Sequence, residues 1–357
     1  MNPAIIHVAS GREWRGGQRQ VWLLARELGQ RGTTQVVITT AKSELARRLV
    51  ADRVRIHPAV WQASLDPRVI AAIVRELHSS AVLHAHDAHS LTLASLSTIA
   101  RGRPIVVTRR VTFPLRHRFF WGRACRIIAI SRAVREALLK DGIRPERVVT
   151  VPSAVDPDVS QCSGLDLRAL FGIPPNGQLA VHLGALTPEK DQGTLILAAA
   201  RLVRDLPNLH WVIVGDGPRR AELQRQIVGL ALHGRVHLLG ALDDPHRALD
   251  QADVFVLSST TEGLGSSVLA AMARSVPVVA TRVGGVPDLL DSGSGILVQP
   301  EDPQGFAGAV HRVLTDGSLR SSIVKAAGRE IEKYSVGAMA DQVLSVYRSC
   351  AHTLDGS

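Results

Sequence analysis

Two residue periods alternate along the whole chain, and that alternation limits the fold more than any other feature. Short runs rich in Val and Ile, among them AIIHVA, TQVVITT, AVLHAH, PIVVT, RIIAI and RVVTV, read as strands. Several are apolar on both faces, as parallel strands covered by helices must be. Between them, GQRQVWLLARELGQRG has helical periodicity and stops at Gly32, while SRAVREALLKDG starts at a Ser cap and stops at Gly142. Repeated β-α units with right-handed crossovers predict an α/β, doubly wound sheet. The stretch PSAVDPDVSQCSGLDLRALFGIPPNG interrupts the rhythm with Pro, Gly, Ser and Asp and reads as a linker. A second series follows it: LAVHLG, HWVIVG, RVHLLG, ADVFVLS, VPVVAT and GILVQ. At 357 residues the chain suits two domains, residues 1–165 and 166–335, with a C-terminal helix at about 336–350 that packs back on the first. Such sheets bind ligands at the carboxyl ends of their strands, so a central cleft faced by both domains is the expected site.

Charge is distributed unevenly over these halves. Residues 1–165 hold 25 Lys and Arg against 12 Asp and Glu, and residues 166–357 hold 17 against 20, so the first half carries all of the net +10. An anionic partner on that half is one reading, and solubility charge is the other. The hydrophobic fraction of 45% is that of an ordinary globular protein. No apolar run reaches membrane-spanning length, and MNPAIIHVASG lacks the marks of a signal peptide, so a cytoplasmic location is expected. Cys125, Cys162 and Cys350 are widely spaced and form no C-x-x-C pair, which argues against a disulfide framework or a zinc site.

Four stretches carry candidate chemistry. VIVGDGPRRAEL sets Gly215 and Gly217 between a strand and a helix; it lacks the third glycine of a nicotinamide fingerprint, and a helix-capping turn and a phosphate turn both fit. VHLGALTPEKDQGTL ends a strand at Gly184 and presents Lys190 before a helix, where an ammonium can meet phosphate oxygens or simply be solvated. TEGLGSS places Gly263 and Gly265 at a helix start, which suits an anion, beside Glu262, which suits neutral hydroxyl donors; a sugar joined to a diphosphate meets both demands. VLHAHDAHS carries His84, His86 and His89. Strand geometry puts only His84 and His86 on one face, so one histidine donating a hydrogen bond to substrate reads better than a zinc site, with His84 satisfied in the core.

The segment RGRPIVVTRRVTFPLRHRFFWGRACR interleaves arginines with large rings in a chain that is only 4% aromatic. Such a pattern could follow a nucleic-acid strand, dock on anionic headgroups, or be a solvated loop over core aromatics. Docking is expected through Arg109, Arg110, Arg116, Arg118, Phe119, Phe120, Trp121 and Arg123.

Taken in order, these pieces resemble glycosyltransferase family 4, the retaining nucleotide-sugar transferases of the GT-B fold, with two Rossmann-like domains. The resemblance runs from Gly16 and Gly17 through HAHDAHS, IIAISRAVREALLKDGI, LGALTPEKD and VIVGDGPRRAEL to EGLGSSVLAAMARSVPVVATRVGGVPDLL, the most specific part. It implies that Gly16 and Gly17 lie over the donor diphosphate, that His86 contacts the transferred sugar, and that Lys190 stabilises the leaving diphosphate. Glu262, the first acid of the family's E-x7-E motif, would bind sugar hydroxyls, with Gly263, Leu264, Gly265 and Ser266 offering groups to sugar and phosphate beside Gly184, Gly215 and Gly217. No metal and no cofactor are implied, and the DPD at Asp156–Asp158 falls in the linker.

This sequence departs from the family pattern at three places. Ala185 stands where an arginine often shares phosphate binding, Ala270 stands at the second acid, whose family role is to hold the ribose, and VPSAVD replaces the frequent Pro-Asn-Gly-Val-Asp. The implied function is transfer of a sugar from a nucleotide-sugar to a lipid-linked or cell-surface glycan acceptor of the lipopolysaccharide type, in cell envelope biosynthesis. An anionic membrane surface is the implied peripheral partner. A catalytically weak or inactive relative acting as a glycan- or partner-binding scaffold is the alternative. Nucleic-acid binding leaves the EGLG region unexplained and is not expected.

Overall fold

A computed structural model of the chain describes residues 3–61, 65–78, 81–99, 102–155 and 165–351. Arg101, Cys162 and the Asp156–Asp158 stretch lie outside the described residues. The chain divides into two compact units. The first comprises Met1–Ala154 and Tyr334–Ser357, and the second comprises Val155–Lys333, so the division falls ahead of the expected 165/166 boundary.

The first unit holds seven strands, β1 (Ala4–Ala9), β2 (Gln35–Thr40), β3 (Ile56–Ala59), β4 (Ala81–Ala85), β5 (Ile105–Arg109), β6 (Arg126–Ala129) and β7 (Val148–Thr150). They pair in parallel in the order β3-β2-β1-β4-β5-β6-β7. The second unit holds β8 (Gln178–Leu183), β9 (Leu209–Val214), β10 (Val236–Gly240), β11 (Val254–Leu257), β12 (Val278–Thr281) and β13 (Ile296–Val298), parallel in the order β10-β9-β8-β11-β12-β13. Strand order therefore reverses between β1 and β4 in one sheet and between β8 and β11 in the other. At such a reversal the two flanking crossovers go to opposite faces and leave a crevice beyond the strand ends.

Every residue of β4, β9, β11 and β12 is buried, which is why these strands read as unbroken apolar runs rather than alternating ones. The strand β3 is the one the apolar pattern does not announce. It contains Pro58, which has no N–H to give to a ladder, and is tolerated because β3 is an edge strand paired only with β2. The helix Val336–Ala351 completes the first unit. Its Met339, Val343, Leu344 and Tyr347 join Leu23, Val82, Val106 and Ile128 in one apolar cluster.

Candidate functional site

At the β8/β11 reversal of the second unit, two loops are stitched together by their own backbone. Ser258 donates its hydroxyl to the Lys190 carbonyl at 3.0 Å, and the Thr260 N–H donates to the Glu189 carbonyl at 2.9 Å. The stitching brings Lys190 Nζ within 2.5 Å of Glu262 Oε1, which also accepts from Ser259 Oγ at 2.8 Å. Both side chains are largely buried, at 23% and 11% exposure. Both contacts fall on the same carboxylate oxygen, so Oε2 is left for another donor, and the ammonium keeps N–H groups beyond the one it spends. Lys190 is thus neither a solvated lysine nor a lone phosphate ligand, but half of an ion pair.

Glycines make this arrangement possible. A Cβ at Gly184 would crowd His182 Nε2 at 3.0 Å, while the aliphatic stem of Lys190 would lie at ordinary contact distance, 3.7 Å. Gly215, at φ +140°, leaves no room for a Cβ beside the Gly184 carbonyl, and one at Gly217 would lie 2.5 Å from the Leu186 oxygen. The two expected donor-binding glycines therefore let the loops after β8 and β9 cross at backbone contact, and Leu186 N donates to the Asp216 carbonyl at 3.0 Å. Gly284, which sequence reasoning misses, does the same for Glu262: at φ +52° its missing Cβ would collide with the Glu262 carbonyl. Gly265, at φ +97°, turns the chain into the helix Ser266–Ala273 one residue ahead of Ser266. Leu264 is buried, which anchors the turn.

His182, in β8, is a second group the sequence does not flag. Its Nδ1 donates to the Val256 carbonyl at 3.0 Å, and Gln192 reaches its Nε2 at 3.3 Å. Burial, reinforced by the nearby Lys190 charge, lowers its pKa to about 4, so the ring is neutral. Gln192 also donates to the Ala185 carbonyl at 2.8 Å. Ala270 is buried, and Arg282, a possible substitute for the missing charge, pairs with Asp291 at 2.8 Å.

At the β1/β4 reversal of the first unit, Asp87 joins the two strand ends. It accepts from Ser90 N (2.7 Å), capping the helix Ala88–Ser97, and from Ser10 Oγ (2.8 Å). Beside it opens a pocket of about 440 Å³ lined by Ser10, Gly17, His86, Asp87 and Arg110 among others. Gly16 and Gly17 form the first turn of the 15-residue helix Gly16–Gln30, and a Cβ at Gly17 would lie 3.6 Å from Arg110 Cδ. Arg110 belongs to this pocket rather than to a docking surface. Burial lowers its pKa to about 10, and its Nε is buried without a partner. A helix start and a half-desolvated guanidinium on one pocket favour an anion.

Above the sheet, His7, His84 and His86 form a buried cluster whose ligand atoms lie within 4.8 Å of one another. Hydrogen bonds engage most of these nitrogens. His84 meets the Tyr347 hydroxyl at 2.6 Å and Thr108 Oγ1 at 2.7 Å, and His7 meets Gln35 at 3.2 Å and His86 at 3.0 Å. A metal held by all three rings would have to break at least two of these. The chain of bonds also fixes tautomers. Gln35 donates to the Ala25 carbonyl at 2.6 Å, so its oxygen faces His7 Nε2 and that nitrogen carries the proton. His7 Nδ1 is then an acceptor, and His86 donates to it from Nε2. His86 Nδ1 remains as a buried lone pair with no partner, an acceptor rather than the donor suggested by sequence.

The arginine-aromatic segment is not a uniform docking face. Trp121 is buried, and Arg109 is pinned over it, donating to the Val111 carbonyl at 3.0 Å and to the Phe113 carbonyl. Arg116, Arg118, Phe119 and Arg123 are exposed, Arg118 lies 3.4 Å from Asp141, and Phe120 is half-buried.

Residues 14–159 match the family model described as Glycosyltransferase Family 4, and residues 166–330 match that of glycosyl transferases group 1. A phosphatidyl-myo-inositol mannosyltransferase of Mycolicibacterium smegmatis is 30% identical over 286 residues, 75% of this chain and 71% of that protein. This chain belongs to the family 4 glycosyltransferases. The glycosyltransferase is also 34% identical over 185 residues to LpsE of Rhizobium meliloti, a lipopolysaccharide core biosynthesis glycosyltransferase. That match takes in 51% of this chain and spans about half, 53%, of LpsE. Its structure matches that of Anabaena HepE in complex with UDP-glucose at a TM-score of 0.84 and 22% identity, over 97% of this chain and 100% of the other. Two parallel-sheet α/β domains of this kind are the GT-B fold. Within the glycosyltransferase, Lys190 and Glu262 come together in one unit, and Gly17, His86 and Arg110 in the other.

Proposed function

We propose that this glycosyltransferase moves a sugar, with retention of anomeric configuration, from a nucleotide diphosphate donor to a lipid-linked or cell-surface glycan acceptor of the lipopolysaccharide type. The observation that carries the reading is the Lys190–Glu262 pair at the β8/β11 reversal. It offers a cation with spare N–H donors to a diphosphate and a carboxylate oxygen to sugar hydroxyls. The amides at the start of the helix Ser266–Ala273 add positive potential. With Lys190 and these amides to stabilise the leaving charge, the transfer needs neither metal nor cofactor. In the proposed step the bond from the anomeric carbon to the phosphate oxygen breaks on the face where the bond to the acceptor oxygen forms. The acceptor hydroxyl's proton goes to the departing phosphate.

The complex of HepE with UDP-glucose and the lipopolysaccharide role of LpsE support the donor and acceptor classes. The basic first half, with exposed Arg116, Arg118 and Arg123, supports an anionic acceptor and peripheral attachment at the inner face of the cell membrane. Among the described residues no helix is long and apolar enough to cross a membrane.

A second reading, a weak or inactive relative that serves as a scaffold, is favoured by one observation: Ala270 is apolar and buried where the ribose-holding acid would stand. Calorimetric titration with uridine, guanosine and adenosine diphosphates separates the two. Heat with one of them is expected, and none with any, from a folded protein, would leave only the scaffold. A donor screen on lipid-linked acceptors read by mass spectrometry then identifies the sugar.

A further inference from the structure

The chain between β5 and the short helix Arg118–Gly122 passes over the helix Ala88–Ser97 and borders a second, half-open pocket of about 720 Å³. Leu65, Leu96, Val111, Phe113, Phe120 and Trp121 give it an apolar wall, and Arg109, Arg116 and His117 stand among them. The volume is that of a small-molecule site. Leu65 and Phe113 are more than half exposed, at 57% and 54%, so apolar surface surrounds the opening.

This segment is held by polar ties at both ends. Arg109 fixes the Val111 and Phe113 carbonyls while its guanidinium lies 5.3 Å from the Trp121 ring centre, and Leu115 N donates to Asp141 at 2.7 Å. These ties fix the backbone on either side of Phe113, and Arg116 and His117 are exposed. The pocket also shares Ala88, His89, Arg109, Val111 and Trp121 with the pocket that holds His86 and Arg110. An apolar chamber with a cationic rim thus opens beside a polar chamber with a buried arginine.

We propose that the 720 Å³ pocket seats the apolar chain of an anionic amphiphile, a long hydrocarbon chain bearing a phosphate, with the phosphate at Arg109 and Arg116 and the polar remainder directed to His86. The proposal rests on the acceptor half of the proposed function and assigns its lipid part to a half-open pocket rather than to a flat membrane-docking face. Charge complementarity decides the occupant: a neutral apolar ligand would leave exposed Arg116 and the N–H groups that Arg109 does not spend on Val111 and Phe113 unanswered, and a free phosphate would leave the aromatic wall wet.

The test uses the full-length protein and n-alkyl phosphates of eight, ten and twelve carbons below their critical micelle concentrations, read by calorimetry. Affinity is expected to rise about fourfold per added methylene, equivalent to about 0.8 kcal/mol each. Alkyl glucosides of equal length should bind at least tenfold more weakly, and inorganic phosphate should not compete. Thr92→Trp, which fills the pocket from the outer face of its helix, should lower alkyl phosphate affinity at least tenfold while leaving uridine diphosphate titration unchanged. Absence of the chain-length dependence in the parent protein would overturn the proposal, as would full binding by a folded Thr92→Trp variant. Binding of the T92W protein to anionic vesicles but not to monomeric alkyl phosphate would mark surface docking as a separate property. Loss of nucleotide binding in the parent would overturn the donor reading instead.

Discussion

Lys190 Nζ and Glu262 Oε1 lie 2.5 Å apart, although 72 residues of chain separate them. The pair exists because β8 and β11 are neighbours in the sheet and are not neighbours in sequence. Substituting Lys190 by Ala should lower turnover by about 10²–10³-fold, the usual effect of removing one donor from developing charge. Glu262→Ala should also lower turnover strongly, mainly through the sugar. Because each side chain holds the other, the double variant should be less impaired than the product of the two losses predicts. Near-normal transfer by both single variants, measured by mass spectrometry, would place the site elsewhere.

Gly284 tests whether the Glu262 turn is held by backbone contact. Gly284→Ala forces a Cβ against the Glu262 carbonyl at a positive φ and should cost about 1–3 kcal/mol. Gly308, exposed in the helix Pro303–Thr315 with nothing near its would-be Cβ, is the control. Gly308→Ala should be neutral or stabilising by up to about 1 kcal/mol. Thermal melts should show a loss for Gly284→Ala and none for Gly308→Ala, and equal shifts would remove the argument.

Acid should loosen the first unit through its buried histidines. Burial lowers the pKa of His7 to about 4 and those of His84 and His86 well below 6.5, with Arg110 and the neighbouring rings adding to the shift in the last two. The unfolded chain therefore takes up protons first as pH falls through 6.5, and stability is lost from there down toward 4. Each such ring contributes a slope of about 1.4 kcal/mol per pH unit across that window. Denaturant melts at pH 7.5 and 5.0 should show the loss, and His84→Gln should flatten it. A pH-independent midpoint would contradict the burial of the cluster.

The bond chain from Ala25 through Gln35 and His7 predicts that His86 carries its proton on Nε2 and leaves Nδ1 bare. Nitrogen-15 NMR of the histidine rings distinguishes the tautomers directly. Gln35→Leu should release His7 and give a mixture at His86, whereas an Nδ1–H form in the parent would refute the relay.

Most of the fold was legible because both sheets are parallel and covered, so their strands are continuous apolar runs with helical periods between them. Pro58 hid β3, since the residue that argues against a strand is harmless at an edge. In the candidate sites the residue types were readable and the partnerships were not. Glu262 and Lys190 each suggested a ligand, but nothing local says that they meet, because that follows from strand order. Arg110 and Trp121 looked like surface residues among arginines; their neighbours Gly17 and Arg109 lie elsewhere in the sequence or point back along it. His182 carried no signal, being a polar residue inside an apolar strand, and Gly284, although inside the family motif, gave no sign of its contact with Glu262, which is distant in the chain.

The helix Val336–Ala351 has a consequence for how the protein is made. Tyr347 supports His84 from a segment translated only after the whole second unit, so the first unit lacks a wall of its core until then. A nascent chain would thus have all of Val155–Lys333 synthesised while the N-terminal sheet still lacks that wall. The first unit is begun first, yet its histidine cluster cannot gain its contact with Tyr347 until the end of the chain is made.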